Sequence, residues 1–248
     1  MFDKNRKSKA VLGQIPYQAM LKKNRKFICG GTLVSVRHVL TAAHCFGGRH
    51  RSDNYTVVLG TILLNHDADP GAIPMDILPD DIFVYPKYDN YTITHDVAVI
   101  KLPSLVMPSG RLHQRVYPAR LPDYRHRNPY FFRFLTGRVS GWGEVDDDTH
   151  SQPAVLMYGR VMVITQMTCR QLIGKHYLLD TKQICTEPAP DDSCYGDSGG
   201  PLTVHYNGED LLIGIVSLST EVRCASGVPT MYAYVPGYIP WINFVIAM

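Results

Sequence analysis

Short runs of β-branched and aromatic residues, bounded by turn residues, recur along the whole chain. Examples are Phe27-Ile28-Cys29, Thr56-Val57-Val58-Leu59-Gly60, Val97-Ala98-Val99-Ile100 and Leu211-Leu212-Ile213-Gly214-Ile215-Val216. No helical patterns alternate with them, which argues against a βαβ parallel sheet and for an all-β barrel or sandwich. Two places read as helical. Residues 165–172 have Thr165 as an N-cap, and the run from Tyr238 carries Pro240 in a first turn with Trp241, Ile242 and Val245 at helical spacing. Residues 103–128, rich in Pro, Arg and His, read as a long connection between two β units, and residues 65–79 and 146–153 read as surface loops. At 248 residues, 45% hydrophobic and 19% charged, the chain can bury the core of one large domain or of two small ones packed together.

The net charge of +3 and a pI near 8.5 are too mild to require nucleic acid as a partner. Arg125-His126-Arg127, with Arg133, Arg138 and the basic residues up to Lys26, read as a solvated basic surface. The longest apolar stretch near an end, residues 241–248, is far shorter than the roughly 20 residues that span a bilayer, so no membrane partner is expected. Met1-Phe2-Asp3-Lys4-Asn5-Arg6-Lys7-Ser8-Lys9 is charged from its third residue and has no apolar core, so no secretory signal is visible.

Cys29, Cys45, Cys169, Cys185, Cys194 and Cys224 include no C-x-x-C pair of a structural zinc site. Their even number suits disulfides, and the sequence does not choose among the fifteen pairings open to six cysteines. Asn54-Tyr55-Thr56 and Asn90-Tyr91-Thr92 make Asn54 and Asn90 candidate glycosylation sites. Disulfides and sequons together favour an extracellular, secreted protein.

Three local sequences carry chemistry. Gly196-Asp197-Ser198-Gly199-Gly200-Pro201 sets a serine on a turn tight enough for backbone N–H groups to point into a pocket beside its hydroxyl. Thr41-Ala42-Ala43-His44-Cys45 follows a strand with small residues, a histidine and a cysteine able to staple it. His95-Asp96-Val97-Ala98-Val99-Ile100-Lys101-Leu102 places an aspartate just before a buried strand, where an unpaired carboxylate is costly. Each has a plain reading in isolation, as a loop, a structural histidine and a strand cap. Together they supply the parts of a Ser-His-Asp triad: a serine needs a base to take its proton, and the imidazole needs a carboxylate to hold its tautomer.

At these residues the chain resembles the trypsin/chymotrypsin-like serine proteases, in their trypsin-like branch. Further matches are Ile15-Pro16-Tyr17-Gln18, Cys29-Gly30-Gly31-Thr32-Leu33, Ser140-Gly141-Trp142-Gly143, Gly214-Ile215-Val216-Ser217 and Pro229-Thr230-Met231-Tyr232. The resemblance implies two six-stranded antiparallel β-barrels, at about 15–105 and 125–235, with the active site between them and a C-terminal α-helix at about 238–247. Residues 10–248 would form the protease domain, after a basic segment, 1–9, without a recognisable activating terminus. It also implies the pairs Cys29–Cys45, Cys169–Cys185 and Cys194–Cys224. By the same resemblance His44 is the general base, Asp96 its orienting carboxylate and Ser198 the nucleophile. The N–H groups of Gly196 and Ser198 form the oxyanion hole, and Ser217 braces Asp96. The substrates implied are proteins or peptides, with protein inhibitors as further candidate partners, a monomeric chain and no cofactor or metal. Asp67, Asp69 and Asp76 do not reproduce a calcium ligand set and read as a solvated loop.

Three departures from the family pattern matter. Active members insert a cut apolar N-terminus beside the aspartate before the nucleophile, here Asp197. Counting back from Pro16, that start falls near Lys4-Asn5-Arg6-Lys7, where nothing reads as able to place an ammonium beside Asp197 in an apolar pocket. A chain starting at Met1 is therefore expected to have low activity. Asp192, two residues before Cys194, matches the floor of a pocket for Arg or Lys, but Thr230 stands where a glycine is expected on its wall and narrows it. Ser217-Leu218-Ser219 replaces Ser-Trp-Gly, removing an aromatic wall at Leu218 and adding bulk at Ser219. The leading expectation is a secreted serine endopeptidase cleaving after Arg or Lys. The rival is a protease-like binding or decoy protein.

Overall fold

A computed structural model describes residues 7–48, 50, 52–106, 115–145, 149–173, 182–189, 196–219 and 228–248. Among these residues fourteen strands form two antiparallel sheets. The first sheet takes β2 (Gln18–Lys23), β3 (Lys26–Ser35), β4 (His38–Thr41), β5 (Tyr55–Leu59), β6 (Ile73–Ile77), β7 (Ile82–Val84) and β8 (Ala98–Lys101), in the order β6-β5-β2-β3-β4-β8-β7. The second takes β1 (Ser8–Lys9), β9 (Thr136–Gly141), β10 (Met157–Ile164), β11 (Gln183–Thr186), β12 (Pro201–Tyr206), β13 (Glu209–Ser219) and β14 (Thr230–Tyr234). Pairing of β10 with β9 closes six of these strands into a barrel, and β1 adds to the edge of β10. The first sheet is a half-barrel, since among the described residues its end strands β6 and β7 do not pair. The expected two-barrel, mostly β architecture is therefore present, with one barrel closed and the other open.

Side-chain alternation explains which faces are buried. In β6, Met75 and Ile77 point inward while Pro74 and Asp76 are exposed, whereas all of β4 is buried on both faces. Two hairpins turn on residues with positive φ, Asn24-Arg25 between β2 and β3 and Asn207-Gly208 between β12 and β13. Such residues give a two-residue loop the twist of its flanking strands. Helix α1 (Gln166–Ile173) starts where the Thr165 hydroxyl accepts the Thr168 N–H at 3.1 Å. Helix α2 (Ile239–Ile246) has Pro240 in its first turn and buries Ile242 and Val245.

The two sheets are locked face to face by specific contacts. The Tyr17 hydroxyl, just before β2, bonds Thr203 Oγ1 in β12 and donates to Asp210 Oδ2 in β13, each at 3.0 Å. Ser140 Oγ in β9 donates to Gln18 Oε1 at 2.6 Å. The long connection straps across both, with Ala119 N–H on the Leu33 carbonyl and Arg120 N–H on that of Asp210. Backbone meets backbone at Gly30 in β3, whose N–H donates to the Ser198 carbonyl at 2.7 Å. A Cβ at Gly30 would lie 3.0 Å from Gly200 Cα and 3.2 Å from Gly200 N, both backbone atoms that cannot swing aside. Gly30→Ala is therefore expected to destabilise the fold by about 1–3 kcal/mol through overpacking, measured as a lower urea midpoint with an unchanged m-value.

Candidate active site

His44 lies on a 3-10 turn, Ala43–Phe46, that follows β4. The Cys29–Cys45 disulfide fastens that turn to β3. Asp96 is 1% exposed just before β8, after His95, whose φ is +56°. Tyr85, Tyr238 and Trp241 pack at ring distances near 5.1 Å, and the Tyr238 hydroxyl lies 3.3 Å from His95 Nδ1, so α2 seats the loop that holds Asp96. One Asp96 oxygen accepts the His44 backbone N–H at 2.8 Å; the other lies 2.7 Å from His44 Nδ1 and accepts the Ser217 hydroxyl at 2.6 Å. A carboxylate so held fixes the imidazole in one orientation, with Nδ1 carrying the proton and Nε2 free to accept one.

The Ser198 turn is shaped by Gly196 at φ +94° and Gly199 at φ +76°. A Cβ on Gly199 would lie 2.2 Å from Thr41 Oγ1 and 2.6 Å from the Gly30 carbonyl, so the missing side chain lets the turn lie against the strand end that leads to His44. Gly199 N–H donates to the Val216 carbonyl and Gly200 N–H to that of Asp197. Among the described residues no backbone carbonyl accepts the N–H of Gly196 or of Ser198. Nor does a hydrogen bond join the Ser198 hydroxyl to His44 among them; contacts of this kind often tighten only around a bound substrate.

Asp197 is buried between these groups, 4% exposed. Its Oδ1 accepts the Gly143 N–H at 2.8 Å, and its Oδ2 lies 3.0 Å from Lys7 Nζ. This corrects the expectation that nothing near the start reaches Asp197. The side chain of Lys7 supplies an ammonium there, because β1 pairs with β10 and brings residue 7 to the barrel edge. Lys7 is the functional candidate that sequence reasoning passed over. The offset from Pro16 points to its neighbourhood, but a lysine in a basic segment carries no local mark that separates a buried counter-ion from a solvated charge.

The remaining candidates are placed as follows. Thr230 is 3% exposed and opens β14 with Ser219 as its backbone register partner. Leu218 pairs with Met231 and packs on the cluster around Cys169 and Cys185. Those two cysteines are bridged, as are Cys29 and Cys45. Asp192, Cys194 and Cys224 lie outside the described residues. Asn54 and Asn90 are both exposed. Among the described residues, one group has metal-ligating atoms close together, Cys29, His44 and Cys45, but both of its sulfurs are spent in a disulfide. Asp69 and Asp76 are engaged by Arg115 and by Thr56.

With this geometry in view, comparison with known proteins is informative. The family model described as Trypsin matches residues 5–242. The chain belongs to the trypsin family. It is 33% identical over 239 residues to transmembrane protease serine 9 of Rattus norvegicus, covering 95% of this chain but about a fifth (21%) of that protein. It is 31% identical over 239 residues to a collagenase of Hypoderma lineatum, covering 94% of this chain and 84% of the relative. Among the described residues no helix is long and apolar enough to cross a membrane.

One tyrosine reports on the site. Burial, then the charges of Asp96 and Asp89, push the Tyr88 hydroxyl up to about 12. Between pH 10 and about 12 the unfolded chain releases this proton while the folded one retains it, so stability is lost as pH rises through that window. Tyr88→Phe should flatten the alkaline fall in the thermal midpoint, and an unchanged fall would place Tyr88 in ordinary solvent.

Proposed function

We propose that the chain is a secreted serine endopeptidase that hydrolyses peptide bonds through Ser198, His44 and Asp96. The observation that carries this reading is the buried Asp96 carboxylate, gripped by His44 twice and by Ser217 once. A structural aspartate has no need to orient a quarter-exposed imidazole, whose side chain is 24% accessible. In the proposed sequence Ser198 Oγ attacks the scissile carbonyl as His44 Nε2 takes its proton. The oxyanion is received by the N–H groups of Gly196 and Ser198, donors worth roughly 3–4 kcal/mol each in such sites. His44 then protonates the leaving amine, and water releases the acyl group from Ser198 by the reverse path. Asp96 stabilises the imidazolium throughout. The reading includes a Cys194–Cys224 bridge and glycans at Asn54 and Asn90.

A serine-directed phosphonate should label Ser198, and Ser198→Ala or His44→Ala should lower kcat by several orders of magnitude, since the members act as a unit. Equal hydrolysis by wild type and Ser198→Ala would reject the enzymatic reading in favour of a binding protein.

For specificity, Asp192 would present a buried carboxylate to the P1 side chain, and leaving it unpaired costs more than moving a wall rotamer. Thr230 narrows the same pocket, with Ser219 beside it in the strand register. Cleavage after Arg or Lys at reduced efficiency follows. Thr230→Gly should raise kcat/KM for Arg substrates by about tenfold, and Asp192→Ser should abolish the basic preference. A preference for small P1 residues that survives Asp192→Ser would assign specificity to the wall instead.

A further inference from the structure

We propose that Lys7 is a built-in activator: its ε-ammonium holds Asp197 in the position that keeps the oxyanion turn formed, so the uncut chain is catalytically competent. The inference rests on the serine-protease reading above.

Three observations carry it. The first is the ion pair itself, with Lys7 Nζ and Asp197 Oδ2 3.0 Å apart and their side chains 11% and 5% exposed. Burying a carboxylate is costly without an opposite charge and hydrogen-bond donors beside it, and Lys7 and Gly143 supply one of each. The second is the seat of the lysine stem. Lys7 forms one wall of a cavity of about 220 Å³ whose other walls, among them Val145, Pro153, Val155 and Met157, are largely apolar, surroundings that suit a four-carbon stem with its head turned to a partner.

The third is the register that aims it. Ser8 pairs with Tyr158 and Lys9 with Met157, while on the opposite edge of β10 the same two residues pair with Ser140 and Gly141 of β9. Ala10 N–H extends this ladder to the Leu156 carbonyl at 2.8 Å. Lys7 precedes this pair, on the Tyr158–Ser140 side of the register, and its long side chain reaches Asp197, for whose carboxylate Gly141 leaves room. A Cβ on Gly141 would fall 2.1 Å from Asp197 Oδ1.

Asp197 sits between Gly196 and Ser198, so fixing its side chain on one side and its carbonyl on Gly200 N–H on the other sets the two N–H groups that flank it. Lys7 is thus a positioning residue acting through Asp197, distant from the bond that is cleaved.

The test uses the chain from Met1, its start verified by intact mass, assayed with a peptide ester and titrated with a phosphonate. Wild type should turn over without trimming. Lys7→Met, which keeps the apolar stem and removes the charge, should lower kcat and the phosphonate labelling rate by on the order of 100-fold with KM little changed, while Lys7→Arg stays within about tenfold of wild type. Lys7→Ala provides a second route should the methionine variant unfold: n-butylammonium added to it should restore activity in a saturable manner, and n-butanol should not.

Full activity of Lys7→Met, an equal fall in Lys7→Arg and Lys7→Met, or absence of butylammonium rescue would each overturn the proposal. Wild type that becomes active only after removal of residues from its start would also overturn it while leaving the protease reading intact. No turnover and no labelling in either form would reject the protease reading, and this inference with it.

Discussion

A buried carboxylate has to find its counter-charge inside the protein, and Asp197 is the place where this chain meets that constraint. The residue is 4% exposed, and its oxygens are met by the Gly143 N–H and the Lys7 ammonium. Removing one partner of such a pair costs about 3–5 kcal/mol, enough to reorganise the loop that carries it. One ion pair thus ties the first strand, the end of β9 and the Ser198 turn into a single unit.

The second constraint is steric. The turn bearing Ser198 comes close to β3 and β4 only because Gly30 and Gly199 present no side chains there. The same contact brings the turn to the strand end that leads into His44. Asp96 completes the arrangement from the other direction, seated by His95, Tyr85 and Tyr238, the residue that precedes α2. Both sheets and the start of the C-terminal helix contribute to the proposed site, so the proposed chemistry depends on how the sheets are joined more than on either one alone.

Much of this was legible in the sequence. Short alternating strands gave the all-β class, Thr165 and Pro240 marked the helix starts, and the residues around His44, Asp96 and Ser198 announced the family. Other features were not legible, for physical reasons. Closure of a barrel depends on whether end strands meet, as β9 and β10 do while β6 and β7, among the described residues, do not. Strand pairing over long sequence separations leaves no local mark, so β1 went unseen within a charged segment. The role of Lys7 followed it into obscurity, because a surface lysine and a buried counter-ion look alike until the register of β1 on β10 is known. Leu218 was read as a missing pocket wall, yet it also packs on the cluster around the Cys169–Cys185 bridge.

On the proposed function, the turn around Asp197 stands ready to receive a developing negative charge. A crystal structure of the chain from Met1, with a phosphonate bonded to Ser198 Oγ, tests it most directly. The account predicts a phosphonyl oxygen about 2.7–3.1 Å from the N–H groups of both Gly196 and Ser198, with Lys7 still paired to Asp197. A phosphonyl oxygen turned to solvent, with the Gly196 N–H facing away and Lys7 withdrawn from Asp197, would contradict it.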